Sequence, residues 1–275
     1  MNNGIHFISG LPRSGSTLLA ALLRQNPRID AEMSSPVGGI FLAMQVALSR
    51  QNEAAMFFDD EKKRQLLAGI FTNFYHAVHP TKLVIDTNRL WCAKLPVLAR
   101  LFPEAKVICC VRDVPWVIDS IERLVRRNAF DLSGLFGFTA NGTVFSRANQ
   151  LAMSDGMVGF ALDALKEAFY GEQAGRLLVV DYEALTRAPH RTLSRIYAFL
   201  GEAPFSHDFN NVLYSAREFD AAMGTPGLHD VGRKVQWRER ASVLPPELFA
   251  RFAGDSFWKN PQRASAATVL LHEGE

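Results

Sequence analysis

"GLPRSGSTLL", residues 10–19, comes directly after the apolar run "IHFIS" and opens a stretch of helical periodicity. Gly10 and Gly15 stand in the Gly-x4-Gly-x-Ser/Thr frame of a phosphate-cradling loop between a strand and a helix. Where a triphosphate-binding loop carries lysine, this chain has Ser16, and the nearest cation is Arg13. The two glycines permit tight backbone geometry. Amides from Ser14 to Thr17 would face an anion from a helix N-terminus. The hydroxyls of Ser16 and Thr17 add donors, and Arg13 can lay a planar fork on the same oxygens.

Working outward, apolar β-branched runs recur at residues 5–10, 28–33, 82–86, 106–111 and 176–182, separated by helical patterns. Near-continuous apolar strands alternating with helices mean a parallel sheet covered on both faces. The expected fold is therefore α/β, a three-layer P-loop-like arrangement with a central parallel sheet of about five strands. A single domain over residues 1–275 is expected, with its core at 5–200 and an irregular basic segment at 203–263. In such sheets the ligand lies beyond the carboxyl ends of the strands. That rule selects residues 10–17, 32–35, 86–89, 112–120 and 182–183. The stretch "FDLSGLFGFTANGTVFS" (130–146), rich in Gly and Phe, reads as a loop lining an acceptor pocket, and Trp91 and Trp116 suggest an apolar or aromatic acceptor.

Composition narrows the partners. With 30 Lys+Arg against 28 Asp+Glu the net charge is +2, so no general polyanion-binding face and no nucleic-acid partner are expected. The N-terminus lacks the basic region and long apolar core of a secretory leader, and no apolar run reaches bilayer length, which predicts a cytoplasmic protein without a membrane span. Cys92, Cys109 and Cys110 sit in apolar surroundings, and the adjacent pair would point to opposite faces of a strand, so no disulfide is expected. His76 and His79 share a helical spacing but lack a third ligand, so no metal site is expected.

"PRSGST" in its strand–loop–helix context resembles the 5′-phosphosulfate loop of the sulfotransferases, in particular the branch that contains tyrosylprotein and many bacterial enzymes. The resemblance extends over residues 5–240. It implies 3′-phosphoadenosine 5′-phosphosulfate (PAPS) as donor, adenosine 3′,5′-bisphosphate (PAP) as product, and no metal. It also implies an arginine at the end of the fourth strand with a serine eight residues on. "VICCVRDVPWVIDSIER" supplies Arg112 and Ser120 at that spacing, with Arg123 adding charge. Tyr182 in "VVDYEAL" resembles the family's tyrosine near the nucleotide. Arg233 and Lys234 in "HDVGRKVQWRER" resemble its basic C-terminal loop, although the register differs from the commoner Gly-x-x-Gly-x-Trp-Lys form.

Sulfonate transfer needs alignment and charge stabilisation more than covalent help. Arg13 and the helix N-terminus suit the leaving phosphate. A base must take the acceptor's proton. Glu32 ends the second strand, near where the tyrosylprotein branch carries its glutamate. Asp86 ends the third strand and would hold Arg89, which stands where relatives have a lysine, or act as base itself. His229 is a third candidate. Expected partners are a small-molecule or peptide acceptor, and a homodimer is left open. Two other functions stay open: a P-loop kinase or triphosphatase, which would need lysine at position 16, and a non-catalytic PAPS- or PAP-binding protein.

Overall fold

In the computed structural model, which describes residues 4–49, 53–78, 81–130, 132–137, 142–222 and 224–272, one parallel sheet organises the chain. Its strands are β1 (Ile5–Gly10), β2 (Ile29–Ala31), β3 (Leu83–Thr87), β4 (Val107–Val111), β5 (Leu177–Asp181) and β6 (Thr268–Leu270), in the order β2-β3-β1-β4-β5-β6. The first five fall on the apolar runs read from the sequence. The sixth was not expected there: three residues at the sheet edge, with Thr268 exposed, leave no apolar run to notice.

The helices are α1 (Ser16–Leu23), α2 (Val37–Ala47), α3 (Asp60–Phe74), α4 (Leu95–Leu101), α5 (Val114–Arg127), α6 (Val144–Ala152), α7 (Met157–Tyr170), α8 (Tyr182–Arg187), α9 (Pro189–Leu200), α10 (Arg217–Ala222) and α11 (Pro246–Arg251). Strand alternation sorts the core into two faces. Phe7, Val84, Val107, Cys109 and Leu177 join side chains of α2 to α5 and α7, while Ile8, Ile85, Ile108, Cys110 and Leu178 join α1 and α9. Cys109 and Cys110 thus face opposite layers, and the three cysteines are free and buried. Rings of Phe7, Phe41, Phe71, Trp91 and Phe102 pack edge-on or tilted in the first face, so Trp91 is core rather than pocket.

The strand order places the site. β1 leads into α1 on one face, whereas its neighbours β3 and β4 lead into α4 and α5 on the other, opening a crevice at the strand ends. Asp113 precedes α5, but its carboxylate does not cap the helix. It meets Ser256 Oγ (2.8 Å) and Lys259 Nζ (2.7 Å), tying the end of β4 to the C-terminal segment. Among the described residues no helix is long and apolar enough to cross a membrane.

His6 lies buried in β1, where its Nδ1 accepts from the backbone N–H of Lys106 (3.1 Å). Burial, and then the Lys106 charge, hold its pKa down to about 4 from 6.5. The unfolded chain therefore binds a proton that the folded chain refuses between these values. Stability is complete above about pH 6.5 and falls as pH drops toward 4, by on the order of 3 kcal/mol. Urea unfolding of His6→Gln and parent protein should show that part of the acid slope missing in the variant.

Candidate functional site

The loop after β1 is built by close approach. Gly10 has φ +127°, and a Cβ there would lie 2.0 Å from the Cys110 carbonyl oxygen of β4. Gly15, at φ +94°, precedes α1, and a Cβ there would meet the Tyr182 ring at 3.0 Å. Between them Arg13 adopts φ 59°, an unusual left-handed conformation for a residue with a side chain. No side chain caps the start of α1, so its first-turn amides face the crevice together with Ser16 and Thr17.

The Arg13 side chain crosses to α5, where its Nε donates to Ser120 Oγ at 3.1 Å. Burial, then the charges of Arg112 and Arg127, push the Arg13 pKa below the usual guanidinium value. Arg112 leaves the end of β4 and stacks on the Tyr182 ring, its guanidinium carbon 4.5 Å from the centroid. Burial depresses its pKa as well, and its Nε is buried with no hydrogen-bond partner. The loop and the fourth strand, separate in sequence, thus meet at Arg13, Ser120, Arg112 and Tyr182.

These residues border a cavity of about 840 Å³, which is lined by seven arginines and Lys234 against a single acid, Asp230. Arg123 and Arg240 owe their placement to Asp119, a fully buried carboxylate on α5. Asp119 pairs with Arg123 Nε (3.1 Å) and Arg240 Nη1 (2.6 Å), and also accepts from Ser242 Oγ (3.1 Å) and the backbone N–H of Val243 (2.7 Å). Lys234 lines the cavity, whereas Arg233 is exposed and does not. Gly134 and Leu135 of the Gly- and Phe-rich stretch also line it. Residues 131 and 138–141 of that stretch, like His79, lie outside the described residues. Trp116 packs against Phe249 instead of bordering the cavity.

The two expected carboxylate bases are placed elsewhere. Glu32 is exposed, paired with Arg24 (2.8 Å), and accepts from the Tyr214 hydroxyl (3.2 Å), while its neighbours Met33 and Ser34 reach the cavity. Asp86 is buried and accepts from Ser35 Oγ (2.6 Å), Tyr75 OH (2.5 Å) and Trp91 Nε1 (2.7 Å). Burial raises its pKa despite those donors. It therefore holds core elements together, and its partners among the described residues are Ser35, Tyr75 and Trp91 rather than Arg89. Arg89 sits on the turn after β3, fixed through its backbone by Ser9 Oγ (3.1 Å), and its guanidinium has no partner among the described residues. The surrounding protein lowers its pKa. His229 borders the cavity with Nδ1 2.5 Å from Asp220 Oδ1; Asp220 is buried and also accepts from the His229 N–H (2.9 Å). A carboxylate oxygen is the acceptor here, so in the neutral ring Nδ1 carries the proton and Nε2 is the nitrogen with the free lone pair.

Residues 6–207 match the sulfotransferase family. The chain belongs to that family. Among similar sequences, protein-tyrosine sulfotransferase 1 of Danio rerio is 27% identical over 201 residues, 70% of this chain and 52% of the relative. Nodulation protein NoeE of Sinorhizobium fredii is 29% identical over 225 residues, 73% and 50% of the two chains. The chain spans about half the length of the curated relatives it matches. A sulfotransferase domain from the curacin biosynthetic pathway superposes with a TM-score of 0.52 at 16% identity, covering 91% of this chain and 96% of that one, which establishes the shared fold.

Several lining cations escaped the sequence reading. Arg127 follows Ser120 by seven residues, two helical turns, so the face of α5 that presents Ser120 also presents Arg123 and Arg127. That spacing was visible. Arg238 and Arg240 sit in an irregular segment with no period, and long-range contacts with Asp119 and the Trp116 ring place Arg240. Replacing Asp119 by alanine should cost about 3 kcal/mol in urea unfolding. It should also expose the 240–243 segment to limited proteolysis while far-UV dichroism stays unchanged.

Proposed function

We propose that this member of the sulfotransferase family binds PAPS and moves its sulfonate to a hydroxyl or amine of a small-molecule or peptide acceptor, leaving PAP. When bound, PAPS supplies a sulfonate already activated by a phosphate leaving group. The observation that carries the reading is Arg112: a half-buried guanidinium with an orphaned Nε, inside a cavity of seven arginines, beside the uncapped start of a helix. Such a donor set fits a compact ligand with anionic groups at two separated places.

The residues divide accordingly. Amides at the start of α1, with Ser14, Gly15, Ser16 and Thr17, would hold the 5′ end. Arg112 and Ser120 would hold the 3′-phosphate, with Arg123 and Lys234 adding charge and Tyr182 backing Arg112. Arg13, within the loop and bonded to Ser120, would meet charge growing on the leaving phosphate. Arg89, which also lines the cavity, would orient the sulfonate. We assign the proton-accepting atom to His229 Nε2, with Asp220 fixing the ring, because Glu32 and Asp86 do not border the cavity. Ser16 argues against a kinase, whose loop needs lysine at that position to reach the phosphates.

Arg112→Ala should raise the dissociation constant of PAP about ten- to a hundredfold, the worth of a lost charge-assisted phosphate contact. Calorimetry reads this directly, and equal affinity would remove the second anion site. Tighter binding of magnesium–ATP than of PAP by the parent protein would favour the kinase instead. His229→Ala should lower turnover about a hundredfold or more with PAP affinity unchanged, and Asp220→Asn should lower it less. Full turnover in His229→Ala would return the search to Met33, Ser34 and their neighbours.

A further inference from the structure

A second cavity, of about 390 Å³, adjoins the first across a shared wall of Asn88, Arg89 and Met157. Its chemistry is different. Leu42 from α2 and Phe160 from α7 face it with 41% and 37% of their surface exposed. Arg89 is its cation and Asp155 its acid, in place of the eight cations and one acid of the larger space. An anionic nucleotide is drawn to the first cavity, and a body without charge finds matching surface in the second.

The glycine pair of α2, Gly38 and Gly39, also lines it. Gly38 is required by crowding, since a Cβ there would lie 2.4 Å from Asn88 Nδ2. Gly39 is not: a Cβ there would meet nothing within 4 Å, and its φ is not positive. Glycine inside a helix is destabilising relative to alanine, so neither backbone geometry nor packing explains residue 39. Its missing side chain leaves the space beside it, at the lining of the second cavity, open.

We propose that the second cavity is the acceptor subsite. It takes an uncharged aromatic or alkyl body whose hydroxyl points across the shared wall to the unpartnered Arg89, and Gly39 sets how large that body can be. The proposal rests on the larger cavity being the donor site. Ligand-observed NMR with 2-naphthol, in the presence of saturating PAP, tests it. We expect saturable 2-naphthol binding beside PAP in the parent protein, at least tenfold weaker in Gly39→Leu and weakened less in Gly39→Ala. Its anionic relative 2-naphthoate should be displaced by PAP. Absence of saturable 2-naphthol binding, its displacement by PAP, or equal affinity in parent and Gly39→Leu would each overturn the proposal. Calorimetric PAP titrations of the same samples keep the two readings apart. Failure of the parent to bind PAP would sink the donor site. Normal PAP binding in every protein, with 2-naphthol indifferent to residue 39, would sink the acceptor subsite alone, and would also show that the variants are folded.

Discussion

A guanidinium group does not shed its proton at any pH a cell reaches, so arginines crowded into a half-buried space cannot relieve their repulsion by neutralising. Arg13 feels Arg112 and Arg127 in such a space. Lysines could respond by titrating; these side chains can only wait for an anion or be held apart by the fold. The arrangement therefore favours a ligand with negative charge at more than one place, and the crevice at the strand ends gives it somewhere to lie. Gly10 and Gly15 make that possible at the backbone level. One lets β1 turn against the Cys110 carbonyl, and the other lets the Tyr182 ring approach the loop and support Arg112 from behind.

Two buried carboxylates do the mechanical work on either side. Asp119 gathers Arg123, Arg240, Ser242 and the Val243 amide, so a segment with little regular structure is fixed against α5. Asp86 gathers Ser35, Tyr75 and Trp91, joining the approach to α2, the end of α3 and the turn that bears Arg89. Ser35 Oγ in turn accepts from the Val37 N–H at the start of α2 (3.2 Å). One carboxylate thus places cations of the large cavity, and the other places the walls of the small one. A strand-end aspartate looks the same in sequence whether it is a base or a post. The difference is whether its oxygens have donors already, and that is decided by residues far along the chain.

This explains what was legible. Strands β1 to β5 carry their own evidence as apolar runs, and the first loop carries its evidence as two glycines at a fixed spacing, so both could be read locally. Arg112 and Ser120 needed the family resemblance to be noticed, but their spacing then sufficed, because one helix carries the serine and its strand the arginine. Glu32 looked like a base because it ends a strand at the site's side of the sheet. In a three-residue strand a single step decides the outlook, and Glu32 turns to Arg24 and Tyr214 while Met33 and Ser34 reach the cavity. Pairings such as Asp220 with His229 or Arg240 with Asp119 cross loops without periodicity, and nothing local announces them.

Composition hid the site for a related reason. A net charge of +2 averages 30 basic and 28 acidic residues over the whole surface. The large cavity is lined by eight of those basic residues and one of the acids, so the compensating acids lie elsewhere. Beyond a screening length of about 8 Å in physiological salt, an approaching molecule meets a surface close to neutral. Inside the cavity the half-buried Arg13 and Arg112 are screened less than charges on the open surface. Such a distribution gives little advantage to an extended polyanion that must be attracted from outside. It favours an anion compact enough to pass the rim, and it makes recognition depend on entry and contact rather than on long-range attraction.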